Sequence, residues 1–105
     1  MRYLYALEHI PTGRMLPRPP SGRRGGTYAE PIDPGQHLPR LFHRERDAKG
    51  FLTVWLRGPL RPCFEADWES GVEEYVGNDH EPNLAKEPRI ANDWRVVKIE
   101  WRIVS

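Results

Sequence analysis

Between Pro11 and Pro39, seven prolines and five glycines fall within 29 residues. Proline fixes φ and removes a backbone donor, and glycine is entropically costly in regular structure. That density excludes a helix and any long strand from residues 17–39. A connection this long is uncommon in a compact domain, where it is either functional or disordered. Everything else in the fold must be built from the segments on either side of it.

Upstream, "RYLYALEHI" (2–10) is rich in aromatic and branched residues and reads as a strand. Thr12-Gly13 suits a short hairpin loop with glycine in the left-handed conformation, and "RML" (14–16) suits a short return strand ended by Pro17. Downstream, Leu41 and Phe42 look like an anchor. Ala48, Phe51, Leu52, Trp55 and Leu56 then fall at i, i+3, i+4, i+7 and i+8, one helical stripe over about 44–57. Gly58-Pro59 makes the stop. Gly50, inside that helix, costs about 1 kcal/mol relative to alanine.

"CFEADWES" (63–70) alternates, with Phe64, Ala66 and Trp68 on one face and Glu65, Asp67 and Glu69 on the other. Residues 71–92 carry turn chemistry, with "VGNDHEP" the clearest break. "DWRVVKIEWRIV" (93–104) is the strongest strand pattern; Val97, Ile99, Trp101 and Ile103 share one face. The expected fold is a single α+β domain over 1–105. It has a small antiparallel sheet of about four strands, one packed helix and the long loop 17–39.

Composition bounds the function. No run of apolar residues is long enough to span a bilayer, and the N-terminus lacks a signal-peptide core, so a cytosolic location is the default expectation. A lone cysteine, Cys63, provides neither a disulfide nor a thiolate cluster and reads as a buried thiol. The histidines show no metal-ligand spacing. Glu65, Asp67 and Glu69 have the spacing to hold a hard cation, but a solvated acidic face is the simpler reading. No hydrolase, zincin or P-loop motif is present, and no residue pair is nominated for catalysis. The chain reads as a non-enzymatic binding protein without a cofactor.

Charge is unevenly distributed. Residues 1–62 hold 11 Lys/Arg and 5 Asp/Glu, and residues 63–105 hold 5 and 10, which gives +6 and −5 and sums to the net +1. The basic excess centres on the loop, where Arg14, Arg18, Arg23, Arg24 and Arg40 flank "GRRGGTYAEP" (22–31). Arginine forks match phosphate oxygens, glycines let backbone N–H groups approach an anion, and prolines pre-order the loop. A nucleotide pocket follows from these types. Arg14, Arg23, Arg24 and Arg40 would contact phosphate, Gly25 and Gly26 would donate from the backbone, and Tyr28 and Glu30 would address a base.

The acidic stretch offers an alternative. Seven of the seventeen residues from Glu65 to Glu81 are acidic and none is Lys or Arg. Such a patch can imitate nucleic-acid phosphates and block a basic channel in a partner protein, with Glu65, Asp67, Glu69, Glu73 and Glu74 as its contacts. Direct nucleic-acid binding through the basic half ranks third. A homo-oligomer with Trp68 or Trp101 in its interface also fits the pattern.

The ordered set "TGRMLP", "GRRGGTYAEP" and "PRLF", with a helix ending "VWLRG" and a final "VVKIEW" strand, resembles a group of small proteins encoded in tailed-phage genomes. The resemblance spans nearly the whole chain. Members often carry histidine where this chain has Tyr28. The resemblance implies a phage accessory protein that counters host defence. It would do so by sequestering a nucleotide immune signal or, as an anti-CRISPR does, by binding a host defence protein.

Overall fold

β1 (Arg2–His9) and β4 (Trp94–Trp101) form an antiparallel pair, with Tyr5 opposite Lys98 and Leu7 opposite Val96. In this computed structural model the described residues are 2–18, 26–66, 69, 71 and 73–103. β-Branched and aromatic residues favour these two strands, and their alternation turns Tyr5, Leu7, Trp94 and Val96 toward one side. The helix α1 (Glu45–Leu56) lies on that side. Its predicted stripe is the one it buries: Ala48 and Trp55 are fully enclosed, and Phe51, Leu52 and Leu56 pack beside them. Leu7, Leu16, Phe42 and Trp94 complete the core, with the Trp55 and Trp94 rings edge to face at 4.9 Å.

α1 begins after Arg44, which offers no side-chain cap, and Glu45 and Asp47 in the first turn complement the helix dipole. It ends as expected at the glycine. Gly58 has φ of +102°, and its N–H donates to the Trp55 carbonyl at 3.0 Å. A Cβ at Gly58 would stand 2.7 Å from the Pro82 backbone, so this glycine also permits a close crossing.

The expectation of a single four-stranded sheet is corrected. Among the described residues β2 (Leu60–Ala66) pairs only with β3 (Glu73–His80), as a separate two-stranded antiparallel ribbon. β3 lies where turn chemistry was expected. Gly77, Asn78 and Asp79 are poor strand formers, but the ladder with β2 supplies their backbone partners, with a register shift at Cys63/Phe64 opposite Gly77 at φ +134°. β2 also starts earlier than the alternation suggested, at Leu60, and residues 67, 68 and 70 of the expected strand lie outside the described residues. The "RML" return strand is reduced to isolated bridges, Met15 pairing with both Glu8 and Ile32. Cys63 is only half-buried, its Sγ 3.8 Å from the Arg61 carbonyl and from Asp79.

The ribbon makes the molecule elongated, 64 × 31 × 25 Å, with a radius of gyration of 17.0 Å. A compact domain of this length has about 13 Å. β2 and β3 therefore form an arm that extends from the helix-and-sheet body. No helix among the described residues is long and apolar enough to cross a membrane.

Candidate functional site: an arginine groove beside the glycine-rich loop

Residues 26–39 of the long connection are tied to the rest of the fold by backbone hydrogen bonds. Met15 and Ile32 exchange both backbone hydrogen bonds at 2.9 Å. Arg40 N–H donates to the Leu16 carbonyl at 2.9 Å, and Arg18 N–H to the Leu38 carbonyl at 3.0 Å. A short 3-10 turn, Gly26–Tyr28, is pinned from three directions. Trp55 Nε1 donates to the Ala29 carbonyl at 2.8 Å, Leu60 N–H donates to Thr27 Oγ1 at 3.0 Å, and Arg89 Nη1 donates to the Thr27 carbonyl at 2.8 Å.

Arg89 organises this pinning. Its guanidinium sits 3.9 Å from the Trp55 ring centroid, with only 3% of the side chain exposed. Nη1 also reaches the Trp55 carbonyl at 2.8 Å, and Nη2 reaches Glu30 Oε1 at 3.2 Å. Burial pulls the guanidinium below its ordinary pKa range, and the hydrogen bond and charge of Glu30 oppose that fall. Sequence reasoning missed Arg89, because its partners lie 34 to 62 residues away in chain position.

The nominated residues divide accordingly. Glu30 accepts from Arg89 and, at 3.2 Å, from the Lys86 backbone N–H. Arg14 pairs with Glu87 at 3.2 Å and donates from Nε to Thr12 at 3.1 Å. Tyr28 is half-buried within the 3-10 turn. Arg23, Arg24, Gly25 and Asp67 lie outside the described residues, as do the side chains of Glu65 and Glu73. Glu69 and Glu74 are exposed, and Glu65 stands opposite Glu74 on the arm.

Gly26 and Arg40 are brought together. The Arg40 guanidinium stacks 4.1 Å from the Phe51 centroid and 5.3 Å from that of Phe42. A Cβ on Gly26 would overlap Arg40 Nη1 and press on the Phe51 ring at 3.0 Å. Gly26 is thus the residue that admits the guanidinium to its aromatic shelf. Desolvation pulls Arg40 below its ordinary pKa range. Arg40 is in no ion pair among the described residues. It lines a groove of about 270 Å³ with Arg18, Leu38, Pro39 and Leu41. A cation partly stripped of water and lacking a carboxylate favours an incoming anion.

A larger cleft, about 380 Å³, opens between the end of α1 and residues 82–89. Its cations include the committed Arg89 and the exposed Lys86. No group of three or more metal-ligating side chains occurs among the described residues. Comparison with protein-family models, with curated proteins and with solved structures finds no match to the chain.

Proposed function

We propose that the chain is a non-enzymatic binding protein that captures an anionic ligand, a nucleotide by preference, at the Arg18–Arg40 groove. One observation carries this reading: Arg40 is stacked on Phe51, wedged against Gly26 and unneutralised by any described carboxylate. Its flat fork suits a phosphate, and Arg18 adds a second charge on the same groove. Arg18 lines the groove and Gly26 meets Arg40, and Arg23 and Arg24 fall between these two residues in sequence. Together with the resemblance to tailed-phage proteins, this favours sequestration of a nucleotide signal in host defence.

Calorimetry against mono-, di- and cyclic nucleotides tests it. Binding should fall at least about tenfold in Arg40→Ala and partially in Arg40→Lys, because a point charge replaces a bidentate fork. Absence of binding by every nucleotide would sink the proposal.

The arm favours a second reading, a protein-blocking inhibitor. It projects from the body, opposes Glu65 to Glu74, and exposes Tyr75 and Val76. Under this reading a host-lysate complex would be lost on charge reversal at Glu65, Asp67 and Glu69. It would survive Arg23→Ala and Arg24→Ala.

A further inference from the structure

β4 has a free edge. Tyr5 exchanges backbone hydrogen bonds with Phe42 at 2.9 and 2.8 Å, Leu7 accepts from Leu16, and His9 donates to the Arg14 carbonyl. These β1 residues therefore turn their backbone groups away from β4. In an antiparallel ladder their partners Lys98, Val96 and Trp94 must turn theirs the other way, out of the sheet. Among the described residues no backbone group meets β4 on that side. An eight-residue strand with one open edge is a template for another strand.

We propose that this edge pairs with β4 of a second copy, antiparallel and two-fold symmetric, with Ile99 on the axis. The ladder requires outward-pointing residues to face one another, which leaves only a few registers. Centring on Lys98 sets lysine against lysine, and centring on Glu100 sets glutamate against glutamate. Centring on Ile99 sets Lys98 of each copy against Glu100 of the other. It also places Val97 opposite Trp101. Trp101 is 37% exposed in the single chain, and Glu100 takes part in no ion pair there among the described residues. Beyond the strand, Ile103, 86% exposed, comes level with Arg95 of the other copy. Of the three registers centred on Lys98, Ile99 and Glu100, charge complementarity thus favours the middle one, and in that register the apolar residues of the opposite face line up as well.

Light scattering and sedimentation of the full chain test this pairing. The chain should run at twice its own mass. Lys98→Glu should weaken self-association by roughly tenfold, since two like-charge oppositions replace two ion pairs. The exchange Lys98→Glu with Glu100→Lys should restore it. In a Cys63→Ser background, Ile99→Cys should oxidise to a covalent dimer. Residues on the axis in a non-hydrogen-bonded pair lie about 4.5 Å apart at Cα, within disulfide reach. A monomer at all concentrations overturns the proposal. So does a dimer indifferent to Lys98→Glu, failure of the exchanged pair to restore association, or absence of the Ile99→Cys crosslink.

Discussion

The guanidinium of Arg89 lies 3.9 Å from the indole centroid of Trp55 and donates to that same residue's carbonyl at 2.8 Å. One side chain therefore holds the last turn of α1 by both ring and backbone, and its other nitrogen holds Glu30. Arg89→Ala should cost about 3–5 kcal/mol, because the Thr27 and Trp55 carbonyls lose a donor and the Glu30 carboxylate loses its cation. Glu30→Gln should cost less, about 1–3 kcal/mol. Urea unfolding followed by tryptophan fluorescence measures both. An Arg89→Ala loss below Glu30→Gln would contradict the organising role.

Gly26→Ala and Gly50→Ala should act in opposite directions. At Gly26 the new methyl collides with Arg40 and Phe51, so the variant should lose about 1–3 kcal/mol and its affinity for nucleotides together. At Gly50 nothing lies within 4 Å of the new Cβ, and the residue is inside α1, so stability should rise by about 1 kcal/mol. Thermal unfolding of the two variants side by side decides the matter.

Trp55→Phe keeps a ring in the core but removes the 2.8 Å bond from Nε1 to the Ala29 carbonyl. That carbonyl is then unpaired, at about 1–3 kcal/mol. The effect should be local as well as global. Amide exchange at Ala29 and Ile32 should accelerate more than at Ala6, paired with Val97 in the β1–β4 ladder. Uniform acceleration across all three would mean that Trp55 acts only as filler.

Glu74→Lys should stabilise the arm. Glu65 and Glu74 are directly opposed in the β2–β3 ladder, and like charges there are unfavourable by about 0.2–1 kcal/mol. If the arm binds a host protein through its acidity, the same variant should lose that complex while gaining stability. Gain in both would remove the blocking role.

The helix was legible in the sequence because its signal is periodic and local. All five stripe residues, Ala48 to Leu56, reach the core or its margin. β3 was not legible, because "EEYVGNDH" has turn residues at 77–79 and owes its extended form to a ladder with β2. Arg40 and Gly26 were readable as anion-site residue types. Their aromatic shelf was not, because Phe51 fits the helical stripe and gave no separate signal. Arg14 and Glu30 show the limit of residue type as a guide. Composition nominates a charge, but the fold assigns each of these two an intramolecular partner, Glu87 and Arg89.

The chain leaves the body at Pro59 and returns at Glu81, and these two residues are themselves joined, Glu81 N–H to the Pro59 carbonyl at 2.9 Å. His80 Nδ1 and the Gly58 carbonyl form a second tie at 2.8 Å. The arm is therefore an excursion with coincident ends. Its length and sequence can vary, or a short turn can replace it, without changing the path of α1 or β4. The body and the arm are separable parts on which different selective pressures can act.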